Sequence, residues 1–222
     1  LYWFKKDLRI SDNQALTDAA KNENVAAIYI HDPEIIHNKD FSSFHFDFIN
    51  ESLISLENEF SSKSSYLNIF YDKSINVLNK IRESYIINKL ITHHETGNWI
   101  TFSRNKKIID YCKQNSIQLK EYQSNGVVKD LINRDGWSKL WNEEMYKPIL
   151  DRPDISKFIN IKGLNVKDSV QKINIKEKTY NKIYFGGESN AIKTLDSFLT
   201  ARGNYYSKEM SSPLTALTSC SR

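Results

Sequence analysis

Tyr2–Asn13 reads YWFKKDLRISDN: a short aromatic run, a stretch of charge, and then residues suited to starting a helix. Leu1–Lys5 is expected to form a strand, and Asp12 or Ser11 to cap a helix whose apolar residues include Ala15, Leu16, Ala19 and Ala20. The loop between them leaves the carboxyl end of a strand and enters a helix, the place where open α/β sheets bind ligands. Two lysines and Arg9 beside a helix N-terminus suit an anionic ligand. The alternative is that Arg9 and Asp12 pair with each other and brace the turn. No GxGxxG accompanies the loop, so a dinucleotide wrapped on a tight glycine turn is not supported.

Working outward, apolar strand-like runs recur at Val25–Ile30, Tyr66–Tyr71, Lys89–Thr92 and Ile117–Tyr122, the last alternating as an edge strand does. Helical spacing lies between them. Phe48, Leu53, Leu56 and Phe60 share a side of a helix over Phe44–Phe60, and Val77, Leu78, Ile81 and Tyr85 mark another. Asn105–Gln114 sits in a third. Five strands separated by helices predict an α/β fold: a doubly wound, mostly parallel five-stranded sheet with helices on both faces. This unit is assigned to residues 1–125 and a connector to 126–184. Within the connector Trp137 and Trp141 suit one helix face, while the lysine-rich, polar stretch Asp151–Lys182 reads as linker. Residues 185–222 begin a further, helical unit, with Ala191, Leu195, Phe198 and Leu199 at helical spacing.

Composition narrows the class without choosing a function. The net charge of +4 reflects 31 Lys and Arg against 27 Asp and Glu, too diffuse to define a nucleic-acid-binding face. The two cysteines, Cys112 and Cys220, are far apart, which argues against a disulfide framework and fits a reducing, cytoplasmic setting. No apolar run approaches the roughly 20 residues of a membrane span, so no membrane partner is expected. Leu1 opens the chain inside a strand and Arg222 closes it without a tail, and the chain is therefore read as a fragment.

A second candidate loop follows the fourth strand, THHETGNWITFSR at Thr92–Arg104. His93, His94 and Glu95 could suggest a metal, but neighbours on a strand point to opposite faces, and no metal is expected. Glu95 and Asn98 are instead expected to face a crevice at the same sheet edge as Lys6 and Arg9. Trp99 and Phe102 then either stack on a planar ligand or pack into the core. Nothing in periodicity or spacing defines a reaction, and no catalytic residue is assigned.

Trp3–Leu16, WFKKDLRISDNQAL, resembles the W-F-R-x-D-L-R-x-x-D-N-x-A-L opening of the photolyase/cryptochrome family, with Lys5 in place of the first arginine. Gly186, Gly187, Glu188, Ala191, Leu195, Phe198 and the Ser221–Arg222 pair resemble the same family's entry to its flavin domain. Cys220 stands where many members carry threonine.

The resemblance implies an antenna-binding α/β domain, a connector and the beginning of a helical domain that binds FAD. Tyr206, Ser221 and Arg222 match that family's first flavin contacts, and Lys6, Arg9, Glu95 and Asn98 lie where an antenna chromophore (a folate, a deazaflavin or a flavin) would sit. In photolyases, light-excited reduced FAD donates an electron to a pyrimidine dimer in UV-damaged DNA and splits it. The parent protein is thus expected to be a deoxyribodipyrimidine photolyase, the 222-residue chain by itself being inactive; the alternative is a cryptochrome-like blue-light receptor without repair activity.

Overall fold

A computed structural model describes residues 1–129, 131, 133–162, 184–209 and 211–212. Five strands, β1 (Tyr2–Phe4), β2 (Ala27–His31), β3 (Leu67–Tyr71), β4 (Lys89–His93) and β5 (Gln118–Tyr122), form one sheet in the order β3-β2-β1-β4-β5. Every pairing is parallel. The crossovers contain α1 (Gln14–Ala20), α2 (Pro33–Ile36), α3 (Ser43–Ser62), α4 (Ser74–Ser84) and α5 (Trp99–Gln114). Then follow α6 (Trp137–Met145), α7 (Glu188–Thr200), a 3-10 turn at Arg202–Tyr205 and the short α8 (Tyr206–Glu209).

Side-chain alternation along the strands divides the core in two. Tyr2, Phe4, Ala27, Tyr29 and Ile69 face α1 and α3, meeting Leu16, Leu53, Leu56 and Phe60. Trp3, Ile28, Ile30, Phe70 and Leu90 face α4 and α5, meeting Leu78, Ile81 and Ile108. The strands are buried on both faces except β5, whose residues are half-buried or exposed, as its edge position requires. Helices therefore cover both sides of the sheet, as the alternation of strand and helix predicts.

Three local expectations change. The cap of α1 is Asn13, whose Oδ1 accepts from the Leu16 N–H at 2.9 Å. Asp12 instead takes a left-handed φ of 48° and pairs with Leu150, accepting from its N–H at 3.1 Å and donating to its carbonyl at 3.3 Å. Aspartate tolerates that conformation better than most residues. α5 starts at Trp99, six residues before the expected stretch, because the Asn98 side chain caps it on the Thr101 N–H. Phe48 lies off the buried stripe of α3 and is 40 % exposed.

The largest difference concerns the start of the stretch read as linker. Ile155, Phe158 and Ile161 are at most 3 % exposed. Phe158 meets Phe60 edge-on at 5.5 Å, and Ile159 donates to the Val25 carbonyl at 2.9 Å. Asn68, fully buried in β3, holds the segment by donating to the Ile159 carbonyl and accepting from the Ile161 N–H. The three anchors stand three residues apart in a short irregular segment that forms neither strand nor helix, too few to set a recognisable period.

Phe158→Ala should cost about 3–5 kcal/mol by leaving a cavity among aromatic neighbours. Urea unfolding would measure it; a loss under about 1 kcal/mol would mean that the segment only drapes over the sheet.

Candidate functional site

A cleft of about 920 Å³ opens at the carboxyl ends of β1, β2 and β4. The strand order places β1 between β2 and β4, so the loops after β1 and β4 leave toward opposite faces and part above the sheet, the usual origin of a binding crevice. Aromatic side chains contribute to its walls: Trp3 and Tyr29 from the strands, and Phe41, Phe44 and Phe48 from the beginning of α3 and the loop before it. Phe44 and Phe48 stack with ring centres 6.4 Å apart.

One rim carries a cluster of paired charges. Glu95, its side chain only 2 % exposed, holds Arg104 at 2.8 Å and Lys6 at 3.7 Å. The Arg104 guanidinium in turn lies 4.9 Å from the Trp3 ring centre. Buried Lys5 donates to Asn105 at 3.2 Å. Burial pushes its ammonium pKa down to about 8, against the attraction of Glu95 and with Arg104 adding to the fall. Opposite, the His31 ring is 2 % exposed, lies against Tyr29 and Phe46, and has a buried Nε2 without a hydrogen bond. Burial lowers the His31 pKa to about 4, so the ring is neutral near pH 7. Next to it, Asp32 accepts from the Glu34 N–H at the start of α2 and from the Ser74 N–H and hydroxyl at the start of α4.

Beneath the cleft lies a buried polar cluster centred on Asp7. Its carboxylate accepts from the Tyr2 hydroxyl and the Lys5 N–H, and lies 2.7 Å from His93 Nδ1. Asn13, also fully buried, hydrogen-bonds the Tyr2 hydroxyl. Burial alone would raise the Asp7 carboxyl, but the hydrogen bond and charge of His93, with Tyr2 and the Lys5 N–H, bring it to about 2. Burial and the neighbouring Asp7 charge push the Tyr2 phenol the other way, well above its ordinary value.

Of the residues expected at a crevice, Lys6, Glu95 and Asn98 line it. Arg9 does not. Its guanidinium donates to the Ser11 and Asp12 carbonyls, at 3.2 and 2.9 Å, and so closes the turn on itself. The brace is real, but it runs to the Asp12 backbone because the Asp12 carboxylate is engaged by Leu150. Trp99 and Phe102 stack on each other, 6.3 Å apart, and stay 78 % and 51 % exposed, so they are not core. Tyr206 packs edge-on against Phe198 at 5.7 Å, whereas Ser221 and Arg222 lie outside the described residues.

His31 and the role of Arg104 escape a sequence reading because their spacing carries no motif; only His31–Asp32–Pro33, a strand end entering a capped turn, points toward the site. The described residues hold no group of three or more His, Cys, Asp or Glu that could hold a metal ion. No described helix is long and apolar enough to cross a membrane.

α7 contributes to the outer wall of the cleft. Gly186 and Gly187 lie flat on α3, donating to Glu51 and to the Ser52 hydroxyl at 2.8 and 3.0 Å. A Cβ on Gly186 would come within 2.2 Å of the Phe48 carbonyl, and Gly187 has a φ of +102°, so both positions require glycine. Asn190, Lys193 and Leu195 then border the opening.

Residues 1–137 match the family model described as DNA photolyase. A curated relative, the deoxyribodipyrimidine photo-lyase of Buchnera aphidicola subsp. Acyrthosiphon pisum (strain APS), is 24% identical over 249 residues, covering 99% of this chain and 48% of the relative. The chain thus spans about half the length of that relative. Solved structures share the fold. The archaeal photolyase from Sulfolobus tokodaii, with two FAD molecules, is 22% identical with a TM-score of 0.65, over 87% of this chain and 45% of that one. The class III photolyase of Agrobacterium tumefaciens is 16% identical with a TM-score of 0.73, over 98% and 48% of the two chains. The Synechocystis cryptochrome is also 16% identical, with a TM-score of 0.72 over 93% and 47%.

Acid should destabilise the protein in two separable windows. His31 falls from 6.5 to about 4 on folding, so its contribution is complete above pH 6.5 and is lost as pH drops toward 4. Asp7 falls from 3.8 to about 2, so its contribution is lost between those values, by about 2 kcal/mol. Urea unfolding across pH should show the upper window shrink in His31→Gln, leaving the smaller part that burial of His94 contributes, and persist in Asp7→Asn.

Proposed function

Because the chain belongs to the DNA photolyase family, we propose that it forms the N-terminal part of a blue-light flavoprotein that splits pyrimidine dimers in damaged DNA, and that its cleft holds that protein's antenna chromophore. In this reading residues 1–125 are the antenna-binding domain, 126–184 the connector, and 185–222 the opening of the helical FAD domain. Tyr206, Ser221 and Arg222 supply its first flavin contacts. The protein works in the cytoplasm on DNA. A photolyase is preferred to a light receptor because both the matched family model and the curated relative carry the photolyase description.

The observation that carries the antenna reading is the cleft. Its size of about 920 Å³ suits a cofactor-sized molecule, and its surface is mainly apolar, with aromatic side chains beside a charged rim. A folate, a deazaflavin or a flavin has a planar heteroaromatic ring that fits between such walls. The presence of two FAD molecules in the Sulfolobus tokodaii photolyase adds weight to a flavin.

When bound, the chromophore absorbs light and passes the excitation to reduced FAD, the source of the electron for repair. The chain's own residues bind and orient it. Tyr29, Phe41 and Phe44 offer ring faces, and the Glu95 carboxylate keeps Arg104 and Lys6 on one rim. Neutral His31 adds no charge to the opposite wall.

Fluorescence titration of the 222-residue chain with a folate, a deazaflavin and FMN should give saturable binding of at least one, weakened about ten-fold or more by Tyr29→Ala. Absence of saturable binding by all three would overturn the antenna reading. The same chain under blue light should leave pyrimidine dimers intact, because the proposed flavin site is only begun; dimer splitting would overturn that part.

A further inference from the structure

Glu188 does not line the cleft, yet it fixes the helix that does. Its carboxylate accepts from two successive backbone N–H groups of the β1–α1 loop, Ile10 at 2.9 Å and Ser11 at 3.1 Å. Partial burial works to raise this carboxyl, but the hydrogen bonds from Ser11 and Ile10, with Arg152 nearby, hold it below its usual range. The contact spans 178 residues of sequence. It joins the first residue of α7 to the loop that leaves the central strand. Two, five and seven positions further along α7, Asn190, Lys193 and Leu195 border the opening.

The rest of α7 is weakly held. It has no buried residue, and Ile192, Leu195 and Leu199 are 57 %, 56 % and 70 % exposed. The helix therefore depends on contacts at its beginning: the Gly186–Gly187 seat on α3 and the Glu188 carboxylate on the loop. Charge-assisted hydrogen bonds such as these are stronger than neutral ones.

We infer that Glu188 is a positioning residue for the cleft, and that docking of α7 through its carboxylate is thermodynamically linked to occupancy of the cleft. This rests on the cleft being a ligand site, as proposed above. A ligand that touches α7 only when the helix is docked must favour the docked state. By reciprocity, anything that loosens docking lowers ligand affinity by the same factor. Substitution of Glu188 should then act on a ligand it never touches.

The test uses the 222-residue chain, with FMN as probe, and the variants Glu188→Ala and Glu188→Asp. Hydrogen exchange in the absence of ligand should show Ile10, Ser11 and the α7 amides exchanging faster in Glu188→Ala, with the β2 and β4 amides unchanged. FMN should bind Glu188→Ala about ten-fold more weakly than the unsubstituted chain, with partial recovery in Glu188→Asp, and should slow exchange along α7 in the unsubstituted chain. Val77→Ala, a core change on the opposite face of the sheet, controls for general destabilisation and should leave FMN affinity unaltered.

Equal FMN affinity in the unsubstituted chain and Glu188→Ala, both binding saturably, would overturn the linkage while leaving the ligand site standing. Unchanged exchange at Ile10 and Ser11 would overturn the latch itself. If FMN failed to bind even the unsubstituted chain, a flavin-binding cleft and the linkage would fall together, with the exchange data still reporting on the latch.

Discussion

A single buried carboxylate organises the centre of this molecule. Asp7 leaves β1, draws in the Tyr2 hydroxyl from the same strand, the Lys5 N–H from the bend and His93 from the end of β4. An ionised carboxylate can remain in such a place only if its lone pairs are occupied, and here they are. Asn13 joins the same cluster through Tyr2 and, with its other hydrogen bonds, sets where α1 begins. One charge thereby fixes the exit direction of the central strand, the start of the first helix and the neighbouring strand end. The cleft inherits its geometry from these three.

The cleft follows from topology combined with that anchor. Parallel order places the strand ends at one rim, and the divergence of the loops after β1 and β4 leaves space above Trp3. What fills the rim is a graded set of environments: a paired guanidinium and ammonium around Glu95, a desolvated ammonium at Lys5 and a desolvated neutral ring at His31. Burial brings the Lys5 pKa to about 8 and the His31 pKa to about 4, so His31 is neutral near pH 7 while Lys5 titrates close above it.

Much of the sheet was legible because its strands are continuous apolar runs, and burial on both faces writes itself into sequence that way. The family resemblance rests on the same stretch that contains Asp7, Arg9 and Asn13, residues now seen to be structural braces. That explains why the motif identifies the fold more securely than any ligand. Lys6, Glu95 and Asn98 could be placed at the rim because they flank strand ends. His31 and Arg104 could not, since their roles depend on burial and on partners distant in sequence. Within the stretch 151–182 read as linker, the packing of residues 155–161 was not legible for a related reason: three apolar anchors in a short irregular segment set no recognisable period, and only the contacts of Phe158 and Asn68 reveal them.

Those anchors bear on how the chain is made. Asn68 and Ile161 are 93 residues apart, and Phe158 closes on Phe60 and Val25. During synthesis the sheet strands emerge first, and β5 is complete at Tyr122. The core under α3 still lacks Ile155 and Phe158 at that moment. At roughly 5–20 residues per second the ribosome needs several more seconds to deliver them. In that interval the amino ends of β2 and β3 lie open, apolar surface that the chain itself covers only when residues 155–161 arrive.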